Sequence, residues 1–494
     1  MLSWMLLACG PRLDEAPDPG AWTVEGPGGP AVSFAQADLG VACASLLGDP
    51  ALESQHHNLV VMHDGYLLMP WAPEDGGGGL SWFDVSDPCD PVKVAEAYAE
   101  PMRESHTLAF GQVDGREYLA VDAIFDDGER GGIGIWDVTD KADAQWVAEL
   151  DLPGFLYPEA YFWVSLSTFW QGDFLYVSSG LLGTFVVDVT DPLDPVLVDQ
   201  VGPTVPQVVG SLHVVGNVAL SSSAGTAKTV LFDLSEPGVL APLGGGDFDT
   251  RDAAGDIQTY YFANWGGKYG LFARKGGGGG PIVYDLSDPT SPSWVAAYHA
   301  PEGDGGYVFR HEDLLFQGES EFASIYDFSD PTALVERQRF DLAGDLDTVT
   351  PIGNVAVLSV DSGAQDDQAT TLVPWDTQPD GRGPRVELVS PLDGSTAVPT
   401  TARIGLSFDE LLEPRSVHAG SVRIWDAEGA LVPGRFNVQE SLVNFTPDDP
   451  LADDTTYFVE LAAGGVADSV LNPVDETVQW SFTTGSELDE WPTR

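Results

Sequence analysis

Short apolar runs alternate with turn-forming residues along almost the whole chain. Runs such as FVVDV and GIGIWDV are nearly continuous in apolar residues and are bounded by Gly, Pro, Asp and Ser. This pattern is typical of strands that pack on neighbours through both faces. We find no helical periodicity longer than about ten residues, the length at which a helix becomes a reasonable prediction. The pattern therefore predicts an all-β protein.

One β-rich unit recurs about every 49 residues. Each copy ends in Asp, an apolar residue, Ser or Thr, and an acid that Pro usually follows. The first Asp of successive copies is Asp84, Asp137, Asp188, Asp233, Asp285, Asp327 and, in a degenerate seventh copy, Asp376. A repeat of about 40–50 residues has the size of a four-stranded propeller blade. The copies predict a seven-bladed β-propeller over residues 51–378, and the DVSDP motif predicts a structural turn.

The seventh unit lacks an outer strand, because the loop-like QPDGRGP follows it. We expect residues 9–50 to form a linker and to supply the missing strand, from Trp22–Glu25 or Val32–Ala35. Cys43 lies in this segment, and Cys89 lies in the turn of the first unit. Two interpretations of the pair are open: a disulfide that pins the leader to the propeller, or two unpaired buried cysteines.

The strands that read GIGIWDV, GTFVVDV and GPIVYDL resemble the LVIVD repeat. The resemblance covers roughly residues 51–378. It implies a propeller in an extracytoplasmic location, without a settled biochemical activity.

The composition changes near Pro384, where the repeat stops. The succession of VELVSPLDGSTAVP, FTPDDPLADDTTY and WSFTTG resembles a bacterial Ig-like domain of the SbsA or Big_5 type. This resemblance implies an Ig-like β-sandwich over residues 384–486, followed by a tail at 487–494. Trp425, Trp480 and Phe482 are expected in its core.

The first eight residues, MLSWMLLA, are apolar and precede Cys9. Leu6-Leu7-Ala8-Cys9 resembles a bacterial lipobox, which implies a signal peptide at residues 1–8 and a lipid on Cys9. The alternative is a chance apolar start with an exposed thiol. No other stretch approaches the about 20 apolar residues of a membrane span. We therefore expect an outer-membrane or cell-surface lipoprotein that contacts the membrane only through its anchor.

The charge balance narrows the choice of partners. The chain has 77 Asp and Glu against 21 Lys and Arg, a formal net charge of −56. Nucleic acids and anionic membrane surfaces are bound by basic patches, so both are excluded as expected partners. Envelope proteins and polysaccharides remain as the expected partners.

Imidazole and oxygen side chains recur where the predicted inner strands begin, at the mouth of the central channel. The candidate residues are His57, His106, Glu159, Asp256, Gln258 and Asp347. Oxygen-rich rings suit Ca²⁺, and two histidines with a carboxylate suit a transition metal. The alternative is a solvated, hydrogen-bonded channel without an ion. The other six histidines, including His63 and His311, do not share this position and are expected to be ordinary core or surface residues.

Enzyme motifs such as G-x-S-x-G, H-E-x-x-H and the Walker glycine loop are absent from the sequence. No catalytic residue is predicted. The sequence favours a surface-anchored binding or scaffolding module with an unknown ligand. The alternatives are an extracytoplasmic propeller enzyme, such as a metal-dependent hydrolase acting at the channel mouth, and a purely structural envelope component.

Overall fold

The computed structural model describes residues 26–48, 59–73, 77–103, 105–125, 130–155, 165–202, 209–360 and 369–485. These residues form antiparallel sheets, with two short 3-10 helices at Lys141–Asp143 and Pro414–Ser416. No helix in this part of the chain is long and apolar enough to cross a membrane. The all-β prediction is confirmed.

The first four units are consecutive four-stranded meanders that match the first four sequence repeats. Their strands, after the leader strand β1 (Ala44–Leu46), are β2 (Val61–His63), β3 (Tyr66–Trp71), β4 (Gly78–Asp84) and β5 (Val92–Ala99); β6 (Ala109–Val113), β7 (Arg116–Phe125), β8 (Arg130–Asp137) and β9 (Gln145–Asp151); β10 (Ser165–Gln171), β11 (Phe174–Ser179), β12 (Gly183–Asp188) and β13 (Val196–Val201); and β14 (Val209–Val215), β15 (Val218–Ser223), β16 (Lys228–Asp233) and β17 (Ala241–Asp249).

The remaining units continue the same order. Their strands are β18 (Tyr260–Gly266), β19 (Tyr269–Arg274), β20 (Pro281–Asp285) and β21 (Ser293–Ala297); β22 (Val308–His311), β23 (Leu314–Gly318), β24 (Ser320–Asp327) and β25 (Val335–Leu346); and β26 (Thr348–Ile352), β27 (Val355–Ser359) and β28 (Thr370–Pro374). In each unit the first strand is innermost and the last lies at the rim, as in a propeller blade.

The repeated motif forms the turn between the third and fourth strands. Oδ1 of each of the seven first Asp residues accepts a hydrogen bond from the backbone N–H two residues on, at 2.8–3.1 Å. In the second to sixth units the next residue ties this turn to the start of the second strand, as Val189 does by donating to the carbonyl of Asp173 at 2.8 Å. The motif is therefore structural, as its sequence predicted.

The last unit is completed by a strand from the leader. β1 pairs antiparallel with β28, so that Ala44 lies opposite Leu372. Val32–Ala35, one of the two strands that we expected here, forms no strand. Trp22–Glu25, the other, lies outside the described residues. Cys43 and Cys89 form a disulfide with Cα atoms 4.9 Å apart, which joins the closing strand to the first unit.

The carboxy-terminal domain is an Ig-like sandwich. One sheet has the order β29 (Val386–Ser390), β30 (Ile404–Phe408), β33 (Leu442–Pro447) and β32 (Gly434–Gln439), and the other has β31 (Val422–Asp426), β34 (Thr456–Leu461) and β35 (Val478–Thr483). Trp425, Trp480 and Phe482 are buried, as expected. The first sheet continues into the second propeller unit, because Val438 of β32 pairs with Phe110 of β6.

Candidate functional site

The two ends of the propeller differ. We call the end that carries the turns between first and second strands the covered face, because the Ig-like domain lies against it. The other end, where the inner strands begin, is called the open face. Of the predicted channel-mouth residues, the described ones, His106, Asp256, Gln258 and Asp347, lie at or just before the start of an inner strand, on the open face. The Ig-like domain thus occupies the opposite end.

Backbone and amide groups make a close fit at the covered face. Asn444 accepts from the N–H of Gly216 at 2.8 Å and donates to the carbonyl of Val214 at 2.8 Å. Asn437 accepts from the N–H of Gly172 at 2.7 Å. Gly405 of β30 approaches so near that a Cβ there would lie 2.1 Å from the backbone nitrogen of Gly216. The two domains are therefore packed against each other as closely as neighbouring strands in a protein interior.

A buried ionic network also joins the domains. Arg415, at the second 3-10 helix, donates from Nε to Oε2 of Glu117 at 2.7 Å, and its Nη1 lies 3.2 Å from Oδ1 of Asp64. Nε2 of His63 is 2.9 Å from the same oxygen of Glu117. Burial raises the pKa of Glu117, but His63 and Arg415 outweigh this effect and hold that pKa below its usual value. His63, expected to be an ordinary residue, is thus part of the interface.

A second buried group lies where the sixth unit, the connection between the domains and the Ig-like domain meet. It contains His311 at the end of β22, Asp380 in the connection, and Glu410 and Asp468 in the Ig-like domain. Burial lowers the pKa of His311, but Glu410 and Asp380 raise it to about 9 overall. Burial raises the pKa of Glu410 to about 7 and that of Asp468 to about 8.

The centre of the propeller is filled by side chains in the part that the structure describes. The ring of Phe262 stacks on that of Tyr307, with ring centroids 4.0 Å apart. The rings of Tyr307 and Phe309 are also stacked, with ring centroids 6.3 Å apart. Phe110 belongs to the same buried cluster, and Leu411 of the Ig-like domain packs against it. These side chains therefore form one buried cluster at the centre of the propeller.

His106 and Asp347, two of the predicted mouth residues, share a partner at the open face. Nδ1 of His106 lies 2.9 Å from the hydroxyl of Tyr307, which also donates to the carbonyl of His106 at 3.2 Å. The N–H of Tyr307 donates to the carbonyl of Asp347 at 2.8 Å. Tyr307 was not identified from the sequence, because aromatic residues are too frequent in blades to mark a site.

Asp256 and Gln258, two further predicted residues, contact Asp252 in the loop before β18. Gln258 donates to Oδ2 of Asp252 at 2.8 Å, and Asp256 donates its N–H to Oδ1 of Asp252 at 3.0 Å. The same loop reaches the rim, where the indole of Trp294 donates to the carbonyl of Arg251. Asp256 and Gln258 thus make these contacts within their own loop. His57, Glu159 and Cys9 lie outside the described residues.

Lys275 and Asp304 present charge at the open face. Nζ of Lys275 is 3.8 Å from Oδ2 of Asp304 and 4.5 Å from the centroid of the Tyr261 ring. Both charged side chains are partly exposed. They supply accessible polar groups beside the buried aromatic stack.

Glu319 is a buried acid of the open face that the sequence did not single out. Its Oε1 accepts from the hydroxyl of Tyr326 at 2.7 Å, and its Oε2 accepts from the N–H of Gly280 at 3.2 Å. Burial outweighs these bonds and raises the pKa of Glu319 to about 8. At neutral pH this carboxyl is therefore mostly protonated.

A groove of about 590 Å³ lies beside the covered face, between the propeller and the Ig-like domain. Val422, Ile424 and Phe436 are among its apolar lining residues. At its edge Arg435 is paired with Asp173 at 2.5 Å and lies 4.0 Å from Asp448. The charged groups of this groove thus neutralise one another.

Solved structures with a similar backbone differ widely in sequence. The β-propeller domain of Cps50 (Swd1) from Myceliophteria thermophila is 10% identical with a TM-score of 0.47, covering 65% of this chain and 97% of that one. The periplasmic gluconolactonase PpgL of Pseudomonas aeruginosa is 11% identical with a TM-score of 0.46, covering 63% and 86%. No curated protein matches the chain.

Two families match parts of the chain. The LVIVD repeat matches residues 169–202, which contain most of the third unit. The bacterial Ig-like domain family Big_5 matches residues 380–484. The chain therefore combines a β-propeller that carries an LVIVD repeat with a carboxy-terminal bacterial Ig-like domain.

Proposed function

We propose that the protein is a surface-anchored bacterial lipoprotein that binds or scaffolds envelope components through the open face of its propeller. A propeller joined to an Ig-like domain fits a binding or scaffolding module. The observation that carries the choice of face is the docking of the Ig-like domain: it covers the first turns and pairs strand to strand with β6. The open face remains for a partner.

The chemistry of the open face supports a polar partner. Lys275, Asp304 and Tyr261 offer both signs of charge and an aromatic face. The net charge of −56 repels polyanions at long range. A neutral polysaccharide or a basic segment of an envelope protein therefore fits this surface better than an anionic ligand.

The anchor is tested by fractionation. Expressed in a diderm host, the protein should partition into detergent and carry lipid on Cys9. The Cys9→Ala variant should be released from the membrane fraction. If that variant still fractionates with membranes, the anchor proposal is wrong.

The binding surface is tested with two matched pairs of substitutions. Lys275→Ala with Asp304→Asn alters the open face, and Arg435→Ala with Asp448→Asn alters the edge of the groove beside the covered face. Co-sedimentation would use the insoluble cell-wall and polysaccharide fractions of the bacterium that carries the gene. We expect the first pair to weaken binding at least fivefold and the second to leave it unchanged. The reverse result would assign binding to the groove, and metal-dependent hydrolysis that requires His106 would favour the enzyme alternative.

A further inference from the structure

The seam between the sixth unit, the connection and the Ig-like domain contains a compact group of ligand atoms. His311, Asp380 and Glu410 each place one imidazole or carboxylate atom within 4.8 Å of those of the other two. Nδ1 of His311 lies 3.2 Å from Oε2 of Glu410, and Nε2 lies 3.7 Å from Oδ2 of Asp380. The three residues come from three separate segments of the chain, which meet only in the folded structure.

Three of the four carboxylate oxygens of Asp380 and Glu410 lack an aligned hydrogen bond among the described residues. The side chain of Glu410 is 1% exposed, and neither of its carboxylate oxygens has an aligned hydrogen bond among the described residues. Oδ2 of Asp380, whose side chain is 8% exposed, also lacks one. An ionised carboxylate is costly to bury without a partner. The side chain of Glu410 is directed towards His311, into the centre of the group.

The nearby cations do not balance these charges. Arg382 pairs with Glu312 and donates to Oδ2 of Asp409 at 2.8 Å, so it already has two acidic partners. Asp468 adds to the negative potential, since it interacts electrostatically with Glu410 and Asp380. With every acid ionised, the seam is negative even when His311 carries a proton. A divalent cation bound by the neutral imidazole would bring two positive charges in place of that proton and so reduce this imbalance.

We propose that His311, Asp380 and Glu410 bind one divalent transition metal ion, which clamps the Ig-like domain to the propeller. One imidazole with two carboxylates is a mixed nitrogen and oxygen donor set that suits Zn²⁺ or Mn²⁺. Ca²⁺ prefers six to eight oxygen ligands, so it is the poorer fit. The ligands are buried, which makes this a structural site. It is distinct from the predicted channel mouth at the open face.

The competing interpretation is that His311 acts only as a protonated partner of the two carboxylates. The two interpretations differ in the effect of Glu410→Gln. If a metal belongs in the site, Zn²⁺ should raise the melting temperature of the unaltered chain above its value in EDTA and should raise that of Glu410→Gln much less. The unaltered chain should melt at the higher temperature once Zn²⁺ is added. If His311 only pairs with the acids, Glu410→Gln should lower the melting temperature equally in both conditions.

The full chain would be stripped with EDTA, titrated with Zn²⁺, desalted and analysed for metal content. We expect one Zn²⁺ retained per chain, and at least tenfold weaker binding in Glu410→Gln and in Asp380→Asn. Asp380→Asn decides the question if the first variant does not fold, because its remaining oxygen can still accept from the N–H of Arg382.

Non-specific binding to the acidic surface is controlled in two ways. His299→Gln changes an exposed histidine and should retain Zn²⁺ like the unaltered chain. Ca²⁺ at the same concentration, and NaCl at matched ionic strength, should not reproduce the rise in melting temperature. Equal Zn²⁺ retention in all variants, or none in the unaltered chain, would overturn the proposal.

Discussion

The covered and open faces of the propeller are built from opposite ends of the same strands, yet they differ in how their polar groups are used. On the covered face, Asn444, Asn437 and Arg415 pair with the turns of the propeller across the interface. On the open face, Tyr307 forms hydrogen bonds with the His106 imidazole and with the carbonyl of Asp347. Burial there raises the pKa of Glu319. The first face is an interior, and the second is the face to which we assign the proposed partner.

A residue's position in the repeat therefore does not show by itself which end of the propeller binds another domain or a partner. The turns of the DVSDP motif and the first turns of the units lie at the covered face, where an Ig-like domain uses them for docking. Stability should therefore depend most strongly on the covered face. Changes at the open face should have smaller effects on folding or should even stabilise the protein.

The largest effect is expected at Arg415, the centre of the buried network. Arg415→Met removes the buried cation that Glu117 and Asp64 share. It leaves these two acids only His63 and Lys141. We therefore expect a loss of about 3–5 kcal/mol in the free energy of unfolding. Chemical denaturation measures it.

Arg337→Met is the matched control: its side chain is 59% exposed in an ion pair with Asp327, and it should cost no more than about 1 kcal/mol. Equal losses in the two variants would show that the buried network contributes no more to stability than an exposed ion pair.

Gly405 tests the close approach of the two domains. A Cβ at this position meets the backbone of Gly216, and backbone cannot move aside as a flexible side chain does. We expect Gly405→Ala to destabilise the docked state by about 1–3 kcal/mol and to separate the melting of the two domains in calorimetry. Gly381→Ala, where no atom lies within 4 Å of the new Cβ, should melt like the unaltered chain. A single unshifted transition in both variants would contradict the docking geometry.

The smallest effect, of opposite sign, is expected at Glu319 on the open face. Its pKa rises from 4.5 in the unfolded chain to about 8 in the fold. The folded state therefore binds a proton that the unfolded state releases, and stability falls as the pH rises from about 5 to 8. Glu319→Gln removes the ionisable group and should stabilise the protein by at least about 1 kcal/mol at pH 8, with little gain at pH 5.

The control for this prediction is Glu321→Gln, a substitution of an exposed acid two residues away. Denaturation curves of both variants at pH 5 and pH 8 would separate burial from a change in net charge. The same gain in both variants would mean that general repulsion, and not the burial of Glu319, sets the pH dependence.

Much of the fold could be predicted because its signals are local. The β3 boundaries, Tyr66–Trp71, follow directly from an apolar run between turn residues, and each repeated Asp binds a backbone group only two residues away. The closing strand was harder to predict. Val32–Ala35 has a plausible strand composition, but Ala44–Leu46 pairs with β28, because the outer position depends on which segment reaches that edge.

The all-β class, the repeating blade and the structural turn follow from the sequence alone, since they depend on periodicity and on contacts between near neighbours. The Ig-like domain was recognised from the resemblance of its motifs to a known family. Only the tertiary structure decided which face the Ig-like domain covers. It also brought His311, Asp380 and Glu410 together from segments that no repeat relates. The physical reason is that burial and charge balance depend on surfaces that come into contact only when the distant parts of the chain have packed.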